Sequence, residues 1–119
     1  MTTNETLKQT SASEAMIQQL KVYAAQQNVL MRDVYERAVI NLINHRRELQ
    51  EQGKKMMYLA SNRKGKELNI KIKTNLANRI TRIAETDGTS VRRFLYTALV
   101  IFAKKHSLNT IEIEVEDGY

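Results

Sequence analysis

Asn69, Lys71 and Lys73 alternate with Leu68, Ile70 and Ile72. Strict alternation predicts a strand over residues 68–73 with one buried apolar side and one polar side. On the polar side, Asn69 offers a paired donor and acceptor able to bond adenine bidentately, and Lys71 and Lys73 can donate to guanine O6 and N7. The major groove of duplex DNA admits a two-stranded ribbon, so such a row is chemically suited to reading base edges. A solvated polar strand face carries the same pattern.

A second group is Thr89-Ser90-Val91-Arg92-Arg93. If a helix starts here, its free N–H groups, the positive end of its dipole and two arginines suit a phosphate. An ordinary capped helix reads the same way. Catalytic chemistry finds no foothold, because the chain has neither a Gly-rich phosphate loop nor a nucleophile motif with partners. His45 and His106 fall near expected helix ends, and two isolated histidines without any Cys make no structural zinc site. No enzyme activity, metal or cofactor is expected.

The whole chain supports a polyanionic partner. Nineteen Lys and Arg against thirteen Asp and Glu give a net +6, and the isoelectric point is near 9.7. No apolar run approaches the roughly 20 residues that span a bilayer, and the polar first residues lack the layout of a signal peptide. A cytoplasmic protein without membrane contact is expected. Its 119 residues suit one domain, or two very small units sharing a core.

Positioning these residues requires helices. Thr74 is a candidate N-cap, and Leu76, Ile80, Ile83 and Ala84 predict a helix over 75–86 that Asp87-Gly88 ends. A second helix is expected from Thr89 or Ser90 to Lys105-His106, with a broad apolar face including Phe94, Ala98, Leu99 and Phe102. Forty residues cannot bury so apolar a helix alone. A shift of 60 residues supplies a partner, placing Met16 on Leu76, Leu20 on Ile80, Tyr23 on Ile83, Ala24 on Ala84, Val34 on Phe94, Ala38 on Ala98, Val39 on Leu99 and Leu42 on Phe102.

The same shift sets Lys8, Thr10 and Ala12 at core positions of a first strand, leaving Gln9, Ser11 and Ser13 outward as uncharged counterparts of Asn69, Lys71 and Lys73. That strand is polar on both faces and its register is weakly specified. Arg32 falls on Arg92, but Asn28 replaces the turn glycine and Val29-Leu30-Met31 replaces the capping hydroxyls. An equal phosphate clamp is therefore in doubt there. Residues 56–60 are expected either to dock on the core as a linker or to form a hairpin strand with 68–73. Residues 110–116, where Ile111, Ile113 and Val115 alternate with Glu112, Glu114 and Glu116, are read as an added strand or an acidic tail.

Residues 67–106, with their strand, helix, Gly turn and helix, resemble the ribbon-helix-helix family, the fold of the Arc and MetJ repressors. Residues 8–47 resemble it only through the internal repeat. The resemblance implies a mainly α fold with a short antiparallel β-ribbon. It would be a tandem ribbon-helix-helix, an intrachain pseudo-dimer within a single domain over 1–119. Its units are 7–48 and 67–106, joined by a linker over 49–66 and followed by an acidic strand or tail over 107–119. It implies that Asn69, Lys71, Lys73, Gln9, Ser11 and Ser13 read bases. Thr89, Ser90, Arg92, Arg93 and Arg32 would hold phosphates. Single chains with two such units resemble accessory DNA-binding proteins of plasmid conjugation and T-DNA transfer. The expected partner is double-stranded DNA, with other DNA-processing proteins beside it, bound by a monomeric pseudo-dimer or a higher assembly. Transcription regulation is the neighbouring reading. An antitoxin-like interaction module, binding a partner through its acidic C-terminal segment, is the alternative.

Overall fold

The computed structural model describes residues 5–60 and 65–108. Strand β1 (Glu5–Ala12), helices α1 (Glu14–Gln27) and α2 (Met31–Glu51), strand β2 (Lys66–Lys73) and helices α3 (Thr74–Asp87) and α4 (Val91–Lys105) follow in that order. β1 and β2 pair antiparallel as a two-stranded ribbon, with Gln9 opposite Asn69, Leu7 opposite Lys71 and Ser11 opposite Glu67. The facing pair Gln9 and Asn69 are themselves 60 residues apart, so the register is centred on the repeat. Helices α1 and α3 have the same bounds under that shift.

Local chemistry explains the ends of the helices. Ser13 caps α1 by accepting from the Met16 N–H, and Ser90 caps α4 by accepting from the Arg93 N–H, each at 3.1 Å. Asn28 (φ 56°) and Gly88 (φ 70°) occupy the left-handed region and turn the chain between the paired helices. The turns close alike, with Val29 donating to the Ala24 carbonyl at 3.0 Å and Thr89 to the Ala84 carbonyl at 2.9 Å. Asn at the first turn thus does what glycine does at the second. Thr74 is not the cap expected of it: Lys73 holds that position, and the Thr74 hydroxyl lies 2.8 Å from that of Thr6.

One core collects both halves. α2 and α4 pack on one another, and each lies against the other half's strand, α4 on β1 and α2 on β2. Val34, Ala38, Leu42, Phe94, Ala98 and Phe102 from these helices are buried, with Ile70 and Ile72 beneath them. Burial of an apolar side chain contributes about 1.5–3 kcal/mol, so a core shared by all six elements stabilises a fold that neither half could hold alone. The inner face of β1 is polar, as the sequence indicates, and hydrogen bonds compensate. Thr10, 0% exposed, donates to the Arg92 carbonyl at 2.9 Å, and Lys8 Nζ reaches the Thr81 hydroxyl at 3.4 Å. These bonds define the register that hydrophobic patterning leaves weak.

Residues 56–60 form no hairpin strand. They lie on the core, with the Leu59 N–H donating to Thr97 Oγ1 at 2.8 Å and the Tyr58 ring 5.9 Å from that of Phe94. The Tyr58 hydroxyl bonds Asp87, whose carboxylate also takes a two-pronged bond from Arg46 at 2.7 and 2.8 Å. The choice between strand and tail for residues 110–116 lies outside the described residues. Among the described residues no helix is long and apolar enough to cross a membrane.

Candidate nucleic-acid interface

The side of the ribbon away from the core carries Leu7 and Gln9 from β1 and Glu67, Asn69, Lys71 and Lys73 from β2, all exposed. At its centre Gln9 Nε2 donates to Asn69 Oδ1 at 3.1 Å. The pair spends one amide donor and one acceptor on itself and keeps further donor and acceptor capacity facing outward. Lys71 is 60% exposed and its ammonium lies 4.0 Å from Glu5, too loose to immobilise it. Lys73 stands at the ribbon's end, its backbone N–H donating to Glu36 at 3.1 Å while its side chain stays in solvent.

Two sequence expectations change. Ser13 is off the ribbon, because the chain turns helical at Glu14 and the Ser13 hydroxyl is taken up in capping α1. Ser11 faces outward by register but is only 6% exposed. It lies beside the crossing where Gly65 meets Ala12, so close that a Cβ on Gly65 would fall 2.6 Å from the Ala12 carbonyl oxygen. The places expected of Ser11 and Ser13 are instead held by Leu7, 60% exposed, and Glu67. The signal was present, since alternation runs on through Glu67, and the shift of 60 carries Glu67 onto Leu7.

Beside the ribbon the helix starts differ. At α4, Ser90 and Arg93 are exposed and the free N–H end carries no acidic side chain in its first turn. Arg92 bonds Glu67 at 3.1 to 3.2 Å, so the phosphate candidate and the ribbon face are tied by one ion pair. The Thr89 hydroxyl is buried without a hydrogen-bond partner, which takes it out of reach of a ligand on the surface. At α2, the Asp33 carboxylate accepts from the Leu30 N–H at 3.0 Å. It satisfies the helix start and places a negative charge where a phosphate would sit. Arg32 is bonded to Glu5, which favours its charged form and raises its pKa.

Elsewhere the ionisable groups serve the fold. The Arg46 guanidinium holds Asp87 below the usual carboxylate range, and burial followed by the bond to Asp87 pushes the Tyr58 hydroxyl up. Burial, with Lys105 and Arg37 nearby, lowers the His106 pKa. Among the described residues no group of three His, Cys, Asp or Glu is placed to hold a metal ion. Comparison with protein-family models, curated proteins and solved structures gives no match to this chain.

Proposed function

We propose that this chain binds double-stranded DNA by laying the β1–β2 ribbon in the major groove. In this reading it is a tandem ribbon-helix-helix unit folded as a pseudo-dimer. It would serve plasmid or T-DNA transfer as an accessory protein, or transcription as a regulator. The observation that carries the reading is the outward ribbon face, where Gln9 and Asn69 meet at the centre with Lys71 and Lys73 beyond them. A two-stranded ribbon fits the major groove, and these side chains match the donors and acceptors of its base edges. The start of α4, with Ser90, Arg92 and Arg93, is the stronger of two flanking phosphate sites. Because β1 and β2 carry different side chains, the two half-sites read would differ, unlike those of a true homodimer.

The test begins with selection of bound duplexes from a random pool. On the selected duplex, Lys71→Ala should lose about 1–3 kcal/mol of affinity at one cognate base pair, with thermal stability unchanged because Lys71 makes no core contact. A uniform loss on all sequences would make Lys71 a phosphate contact. Failure of the wild type to enrich any duplex, or to bind duplex DNA at all, would refute the reading.

A further inference from the structure

The chain leaves α2 and α4 by the same turn. Gly53 (φ 73°) and Ser107 (φ 57°) are left-handed. The next residues, Lys54 and Leu108, donate back to the Leu49 and Ala103 carbonyls, both at 2.8 Å. Beyond Lys54 the chain lies across α4, where Leu59 bonds Thr97 and Tyr58 packs on Phe94. Under this cover Thr97 is 1% and Val100 5% exposed.

Subtracting 60 turns Thr97 and Val100 into Arg37 and Ile40, and there the equivalent surface is open. Ile40 is 49% exposed. It lies in a groove lined by Tyr23, Arg37, Ile40, Phe102, Lys105 and His106. The floor is apolar and aromatic: Tyr23 meets Phe102 edge-on at 5.4 Å, and the His106 ring lies 4.9 Å and 4.3 Å from them. The rim is cationic, through Arg37 and Lys105. Where the covered groove has Asp87 to receive Tyr58, the open one has Gln27.

We infer that this groove is a docking site for the chain's own residues 109–119. Three observations select that occupant. Its mate in the other half is filled by a chain segment that follows the corresponding helix. Leu108, two residues past the groove-lining His106, already packs on the core, so the chain arrives at the groove's edge. The sequence 111–117 is Ile-Glu-Ile-Glu-Val-Glu-Asp, which in extended form gives Ile111, Ile113 and Val115 to an apolar floor and keeps carboxylates for a cationic rim. This assignment does not depend on DNA binding.

The chain has no Cys, so an introduced pair gives an unambiguous cross-link. In the full chain, Ile40→Cys would be combined in turn with a Cys substitution at each position from 111 to 116, under mild oxidation. Ile40 is half exposed, and melting curves establish that each variant folds. The inference predicts an intrachain disulfide, independent of protein concentration, forming several-fold faster at 111, 113 and 115 than at 112, 114 and 116. Arg37→Glu with Lys105→Glu should slow it. Equal rates at all six positions would mean an undocked segment, and a concentration-dependent interchain product would assign the groove to a second copy. Either result, or no disulfide, overturns the inference.

Discussion

Glu67 joins the ribbon face to the helix start, since it stands outward on β2 and bonds Arg92 at 3.1 Å. A phosphate at α4 would have to displace it. Half-exposed ion pairs are worth about 0–1 kcal/mol, so Glu67→Gln should raise affinity for duplex DNA by up to about fivefold, measured by fluorescence anisotropy. A fall in affinity would make Glu67 a base contact of its own. Asp87 acts on stability instead. Its folded pKa is depressed by Arg46, so the stability it contributes is present above the unfolded value and is lost as pH falls through the folded one. Asp87→Asn should therefore lower the melting temperature at neutral pH, and its gap from the wild type should narrow below about pH 3.8. A gap independent of pH would contradict that role. The row Asn69, Lys71 and Lys73 was legible because alternation alone determines which way a strand residue faces. Ser11 and Ser13 were misread for want of the strand's end: the repeat gives their register, whereas capping and the crossing at Gly65 decide whether they are reachable.

The elements were legible wherever a local rule acts. Gly88 and Ser90 end one helix and begin the next where the sequence indicates, and the shift of 60 residues places the first pair of helices by analogy. The six extra residues of α2 beyond the bound expected from α4 were not legible, because they depend on no periodic core position. Nor was the Asp33 bond that replaces a hydroxyl cap at Leu30, since it reaches back from inside the helix. The α2–α4 contact is the seam of the fold, and Phe94, 0% exposed, lies in it under the Tyr58 ring. Phe94→Ala should cost about 3–5 kcal/mol in denaturant unfolding, and should loosen residues 56–60 as the Tyr58 contact is lost. A loss under about 1 kcal/mol would place the ring outside the shared core.

Across the whole molecule charge and shape are unequal between the halves. Residues 61–110 carry 11 basic and 3 acidic side chains, a net of +8, whereas residues 1–60 carry 8 and 6, a net of +2. Both helix-start arginines are paired with glutamates, but only α2 has an acidic group at its N–H end, so the second half should dominate the electrostatic part of DNA binding. Composition made that imbalance visible. It could not show that each second helix rests on the other half's strand, which follows from the ribbon register and unites the halves in one core. The central claim is that the outward ribbon face enters the major groove, and methylation protection on a selected duplex tests it directly. Dimethyl sulfate reports guanine N7 in the major groove and adenine N3 in the minor groove in one reaction. The account predicts protection of guanine N7 within the bound site, weakened by Lys71→Ala, with adenine N3 left reactive. Protection of adenine N3 alone, or of neither atom on a duplex shown to be bound, would contradict it.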